Sequence, residues 1–354
     1  MWARWAGFVA LAVVLSGCGS DDRSEPSLAP LHGTATPPAQ ELVGRPLAIP
    51  WWSDGVLHVD GRTLHTDRPR IVAAGGTTLV GRVSEAHSHW SLVTGTRLRP
   101  VLRSVLDSDS SYVVPAISAN GRHVAWVESR SLRRIDRYRT RAAFTVTAYD
   151  VTRHRRVGSS GLVATVECCD AGGTINIIGV DRTGSVVLNQ LGGPSWVWRA
   201  GHAAVRVKLP RDKPLEGSDQ WPGGITFATS EDGTDPGVFA TVDRGGVVHP
   251  VGRVPQTAGG VWSPTGKAYA YLPDAKYGDR RARVWTPDGS LRLDAPRGAP
   301  VLLWESADDV LLVASGSPVQ GRFRLARCDA TTGSCEPAGR PLHHVNVSET
   351  QLFG

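Results

Sequence analysis

Two nonapeptides far apart in the chain share one design. Ser118-Ala-Asn-Gly121-Arg-His-Val-Ala-Trp126 and Ser263-Pro-Thr-Gly266-Lys-Ala-Tyr-Ala-Tyr271 each place a serine, a turn former and a glycine before a short strand ending in an aromatic. Glycine accepts the positive φ that closes such a turn, and Pro264 presets φ at its own position. Further hairpin turns stand at Asp60-Gly61, Thr183-Gly184, Gly245-Gly246 and Asp288-Gly289. A second turn type, Asp329-Ala-Thr-Thr332-Gly333, is echoed at Thr94-Gly95 and Asp150-Val-Thr152 and suits a hairpin between outer strands. From about Leu47 onward the pattern is a short apolar strand, a glycine turn, an alternating strand and a second turn. Helical periodicity is nearly absent after residue 40. The expectation is an all-β fold built from repeats.

The two nonapeptides resemble the repeat of TolB-like and WD40-like β-propellers, whose inner strands carry a Ser-Pro-Asp-Gly signature. Here Asn120 and Thr265 replace the aspartate, and Ala119 replaces the proline in one copy. The resemblance implies four-stranded blades of about 40–50 residues. Blades are expected at 70–103, 112–158, 161–210, 217–254, 257–297 and 299–340. Residues 45–68 form an incomplete further blade with two clear strands, and the tail at 343–348 supplies a missing strand and closes the ring. Seven blades is the expectation and six the alternative. Closure leaves no free sheet edge. The rival fold, a series of two-sheet sandwiches, would need a linker in the middle of the chain, and the sequence has none.

With 354 residues, 41% of them hydrophobic and 20% charged, the chain can bury a sizeable core. Its 40 glycines and 24 prolines are spread along the chain, as many short turns require. The lysine and arginine total of 39 includes only four lysines, which points to a GC-rich genome rather than to a partner. Net charge is +6, or +5 without Arg4. That bias is far from a nucleic-acid-binding composition, and no nucleic acid partner is expected.

Met1 to Gly17 reads as an export signal: Arg4, then the apolar run Ala6 to Leu15, then the small residues Ser16 and Gly17. Ten apolar residues cannot span about 30 Å of hydrocarbon as a stable helix. Leu15-Ser16-Gly17-Cys18 resembles the lipobox of bacterial lipoproteins, and the arginine-rich composition suits an actinobacterial type. The resemblance implies that Cys18 carries a diacylglycerol and becomes the mature N-terminus, on the extracytoplasmic face of the cell membrane. The other reading is an ordinary signal peptide with a nearby cysteine. Residues 18–44, rich in Ser, Pro and Thr, read as a flexible tether reaching about 25–30 Å, and 45–354 as the propeller.

Cys328 and Cys335 flank the Asp-Ala-Thr-Thr-Gly-Ser turn, where facing hairpin strands bring Cβ atoms close enough for a disulfide. Cys168 and Cys169 are adjacent, and the readings are a vicinal disulfide, two free thiols or a metal-binding pair. With neither Cys-x-x-Cys nor a nearby histidine, a structural role is favoured over a zinc site.

No Gly-x-Ser-x-Gly, His-Glu-x-x-His, phosphate loop or dinucleotide fingerprint is present. No catalytic residue, metal or cofactor is therefore assigned. His87 and His89 share a strand face, and Asp107, Asp109, Glu231, Asp232 and Asp235 form acidic turns; exposed loop histidines are favoured over a shared metal, and turn chemistry over a Ca²⁺ site. Ten tryptophans between Trp51 and Trp304 read as core aromatics, with Trp196 and Trp198 on one face as core packing or a ligand platform.

The most unusual stretch is an expected enlarged loop at 129–141. It holds Arg130, Arg133, Arg134, Arg137, Arg139 and Arg141 against Asp136, with Arg153, Arg155 and Arg156 following. Guanidinium forks bind phosphate and carboxylate well, so this segment is a candidate anion-binding loop for lipid headgroups or wall polymers. The leading functional expectation is a monomeric, membrane-anchored binding or scaffold propeller whose partner is an envelope protein or polyanion. The alternative is a carbohydrate-active hydrolase or lyase with its site in the propeller channel.

Overall fold

The computed structural model describes residues 45–347 except for 54, 67–68, 85–86, 106–112, 137–138, 168–174, 191–192, 209–220, 222–223, 228–236, 256, 274–279, 318–321 and 344–345. The expected signal, the tether with Cys18, and Cys168 and Cys169 lie outside the described residues, as do Arg137 and the acidic turns at 107–109 and 231–235.

The chain enters as β1 (Trp51–Ser53), β2 (Val56–Val59) and β3 (Arg62–His65), an antiparallel meander that lacks its own first strand. Blade 1 follows as β4 (Arg70–Ala74), β5 (Thr77–Val83), β6 (His87–Thr94) and β7 (Arg97–Val105). Blade 2 is β8 (Ala116–Ile117), β9 (His123–Arg134), β10 (Arg139–Asp150) and β11 (Arg155–Glu167). Blade 3 is β12 (Ile175–Val180), β13 (Val186–Gln190), β14 (Ser195–Trp198) and β15 (Val205–Arg206). Blade 4 shows three strands among the described residues, β16 (Ile225–Phe227), β17 (Val238–Val242) and β18 (Val248–Arg253). Blade 5 is β19 (Thr257–Trp262), β20 (Tyr269–Pro273), β21 (Arg283–Thr286) and β22 (Gly289–Arg292). Blade 6 is β23 (Val301–Trp304), β24 (Asp309–Ser317), β25 (Arg322–Asp329) and β26 (Cys335–His343). Last, β27 (Asn346–Val347) pairs antiparallel with β1, so the two ends of the domain complete blade 7 together.

The core shows that the seven sheets close into a ring. Among the described residues the buried apolar side chains form seven clusters, and each joins two consecutive blades. Leu79 and Trp90 of blade 1 pack with Ile117 and Trp126 of blade 2. Phe144 and Val146 of blade 2 meet Leu188 and Trp198 of blade 3. The series continues through Val187 with Ile225, Phe239 with Trp262, and Val284 with Trp304. Leu303 and Leu325 of blade 6 pack with Leu47, Ile49 and Trp51 beside blade 7, and Trp52 and Leu57 of blade 7 reach Ile71 of blade 1. A strand with both faces against neighbouring sheets is buried on both faces, as β13 is along Val186–Gln190, with apolar residues from Val186 to Leu188. This is a seven-bladed β-propeller, as the repeat predicts.

The two nonapeptides fold alike although neither keeps the aspartate. Gly121 and Gly266 donate their N–H to the carbonyls of Ser118 and Ser263, each at 2.8 Å. The two serine hydroxyls accept from His123 N–H at 3.0 Å and Ala268 N–H at 3.2 Å. Asn120 and Thr265 supply the remaining side-chain acceptor, to Arg122 N–H and Lys267 N–H. Neighbouring turns touch: a Cβ on Gly75 would lie 2.2 Å from the nitrogen of Gly121, so the blade 1 and blade 2 turns meet backbone to backbone. Asn120 Nδ2 donates to the carbonyl of Arg182 at 3.1 Å, and Arg182 Nη2 to that of Thr265 at 3.3 Å.

Three expectations need correction. Residues 129–141 are not an enlarged loop but the far half of the β9–β10 hairpin. The blade boundary expected between 158 and 161 falls instead after Glu167, because Gly158 and Gly161 sit inside β11, paired with Ala148 and Thr145. A twelve-residue partner strand keeps those glycines extended despite their turn preference. The N-terminal segment gives three strands to blade 7 rather than two.

Cys328 and Cys335 form a disulfide across the β25–β26 hairpin, where they are register partners. In the turn between them, the hydroxyl of Thr331, with backbone N–H groups of Thr332 and Thr331, holds the Asp329 carboxyl down at about 2. With only 7 residues of sequence separation, loop-closure entropy gives the bond about 2–3 kcal/mol. The Cys328→Ala/Cys335→Ala variant is expected to lose that amount in urea unfolding; an unchanged midpoint would show that the hairpin needs no staple.

Candidate functional site: an arginine face on blade 2

The β9–β10 hairpin outruns the core. Burial along β9 runs from Val124 through Trp126 and fades from Val127, until Arg130 to Arg134 are all exposed. The third strand, β11, follows it outward to Glu167, so a three-stranded ribbon projects beyond the packed part of the blade.

The register fixes which arginines face together, because residues paired across a ladder share a face and alternate along each strand. Arg130 pairs with Ala143, and Ala143 with Val163. Arg133 pairs with Arg141, and Arg141 with Thr165. Between these rows the register shifts: Ser131 pairs with Ala142, and Leu132 is left unpaired in a bulge. The bulge lets Arg133 return to the face of Arg130. Arg139, two residues before Arg141, lies on that face as well. Arg130, Arg133, Arg139 and Arg141 therefore share one surface, while Arg134, paired with Thr140, faces the other way.

The same register sets Glu167 opposite Arg139 and places Glu128 two residues before Arg130 on this face. At the hairpin end Asp136 accepts the backbone N–H of Arg139 at 2.8 Å and its Nε at 2.7 Å. Asp136 is thus committed to closing the turn and to Arg139. Among the described residues, Arg130, Arg133 and Arg141 have no ion-pair partner, and directly opposed Arg133 and Arg141 repel. An anion placed between two such guanidinium groups would relieve that repulsion. Arg153, Arg155 and Arg156 do not belong to this site. They stand at the opposite end of the blade, where Arg155 pairs with Asp150 and Arg156 lies 5.5 Å over the ring of Trp126.

The remaining candidates resolve into packing. His87 and His89 meet edge to face with centroids 5.7 Å apart, and among the described residues no group of three or more His, Cys, Asp or Glu side chains converges. Trp90, Trp126 and Trp198 are fully buried, and Trp196 packs against the same cluster as Trp198. Sequence reading missed the buried Glu305–Arg327 ion pair, with each side chain 3% exposed. The two residues lie 22 positions apart with no motif between them.

No family model matches the chain, and no curated protein matches it in sequence. Among solved structures it is similar to TolB from Acinetobacter baumannii, at 12% identity and TM-score 0.42, over 78% of this chain and 64% of that one. It thus covers less than two thirds of that protein's length. It is also similar to an uncharacterized protein from Listeria monocytogenes, at 10% identity and TM-score 0.50, over 79% of this chain and 86% of that one. A third similar structure is the WD40 domain of Toxoplasma gondii coronin, at 10% identity and TM-score 0.43, over 87% of this chain and 78% of that one. Likeness at these identities bears on the fold alone.

Proposed function

We propose that this chain is a membrane-anchored binding propeller of the cell envelope, held by a lipid on Cys18 and binding a polyanionic partner through the arginine face of blade 2. The observation that carries the binding reading is the register that gathers Arg130, Arg133, Arg139 and Arg141 on one exposed surface. The address is supported by the Leu15-Ser16-Gly17-Cys18 motif after its short apolar run. A propeller suits the task because its rigid ring holds the projecting ribbon in one orientation.

Two measurements test the reading. Mass spectrometry of the mature N-terminus is expected to find diacylglycerol on Cys18, and a chain starting at any other residue sinks the address. Binding of soluble polyphosphate at low salt is expected to fall at least about tenfold in Arg130→Gln/Arg133→Gln/Arg141→Gln. Equal binding by variant and wild type sinks the role of the arginine face.

A further inference from the structure

We infer that the arginine face is a membrane-contact surface whose occupant is an anionic phospholipid bilayer. The inference rests on the polyanion-binding reading above and commits it to one source of phosphate. Three large apolar side chains on this same ribbon are exposed: Leu132 at 50%, Ile135 at 47% and Val163 at 55%. Val163 stands in one row with Arg130, through Ala143. Leu132 is the residue the bulge leaves unpaired between the arginine rows, and Ile135 sits at the hairpin end, its N–H on the carbonyl of Arg139.

A soluble polyanion engages guanidinium groups and leaves such apolar side chains in water. A bilayer surface takes both kinds at once. Its phosphates meet the arginines, and the boundary between headgroups and acyl chains accepts leucine, isoleucine and valine. The arginines then lie at headgroup level with the apolar residues just below, the division of labour seen in interfacial elements generally. Charge complementarity is favourable: the segment 129–141 carries six arginines and one aspartate. A lipid on Cys18 would keep the bilayer near, since a coil the length of residues 18–44 reaches about 25–30 Å. Weak contacts then act at high effective concentration.

The test uses the chain from Gly19 onward, which lacks leader and lipid but keeps every cluster of the core, from Leu47 to Ala338. Partitioning is measured onto vesicles of phosphatidylglycerol and phosphatidylcholine in equal parts, onto phosphatidylcholine alone, and against soluble polyphosphate. Binding to the anionic vesicles and none to the neutral ones is expected. Arg130→Gln/Arg133→Gln/Arg141→Gln should lower vesicle partitioning about 100-fold, at about fivefold per arginine. Leu132→Ser/Ile135→Ser/Val163→Ser should lower it about tenfold while leaving polyphosphate binding unchanged. All six positions are exposed, and thermal melts of the variants report whether the ring is intact. Anionic-vesicle binding that ignores the serine substitutions, or that is absent in the wild type while polyphosphate still binds through the arginines, overturns the lipid assignment and leaves the polyanion reading standing. Loss of arginine dependence in both assays overturns both.

Discussion

Replacing Arg327 with methionine is expected to destabilise the propeller by about 3–5 kcal/mol, the cost of leaving a buried carboxylate without its partner. Arg327 on β25 donates through Nε and Nη2 to the two carboxylate oxygens of Glu305, in the turn between β23 and β24. Its Nη2 also reaches the carbonyl of Pro46 at 3.0 Å, and its Nη1 lies 3.5 Å from Glu336. The hydrogen bond it donates to Glu305 holds its pKa above the ordinary arginine value, so the charge persists at any working pH. Glu305 in turn accepts the N–H of Ala48 at 2.6 Å, and Gly339 donates to the carbonyl of Arg45 at 2.9 Å. One buried cation thus fastens the entering segment to blade 6, just before the chain becomes blade 7. The double variant Arg327→Met/Glu305→Leu should recover much of the loss, because an apolar pair of similar volume carries no desolvation cost. Urea unfolding gives the energies, and hydrogen exchange at Ala48 and Gly339 separates a local latch from a general loss. A single variant within about 1 kcal/mol of wild type would show the pair to be ornamental.

What the sequence disclosed and what it hid divide along the range of the interactions. Turns are local, so Ser118, Gly121, Ser263 and Gly266 announce themselves, and the recurring turns point to seven blades with six as the alternative. The disulfide is also local, with Cys328 and Cys335 facing each other across one hairpin. The 158–161 boundary misleads because Gly-Ser-Ser-Gly is a turn by composition and a strand only by virtue of its pairing with Thr145 to Ala148. The arginine segment is conspicuous, yet which of its members share a face depends on a bulge at Leu132 that no residue pattern foretells. Were Leu132 paired in regular alternation, Arg133 would face away from Arg130, and the run would be two half-sites on opposite faces. The Glu305–Arg327 pair is least legible of all, since it binds residues from 45 to 336 that meet only when the ring closes.

The second large effect is expected at Trp90, where Trp90→Ala should cost about 3–5 kcal/mol. The indole is 1% exposed and lies flat on its register partner Gly81, where an added Cβ would come within 2.6 Å of the ring. It fills the joint between blades 1 and 2 beside Leu102, Ile117 and Trp126. Its Nε1 donates to the carbonyl of Val113 at 2.8 Å and to Ser88 Oγ at 3.0 Å. Trp90→Phe separates volume from hydrogen bonding. The carbonyl of Val113 keeps the Ser88 hydroxyl at 3.0 Å, so the phenylalanine variant leaves no orphaned acceptor and should lose only about 1–2 kcal/mol. Gly81→Val should fail through the opposite fault, forcing the ring off its seat by overpacking. If the seven joints act as one closed circuit, damage at this joint lowers the midpoint of a single transition with an unchanged denaturant slope. A separate early transition confined to blades 1 and 2 would show instead that the ring opens at one joint, and that closure by β27 adds little to the cooperativity of the whole.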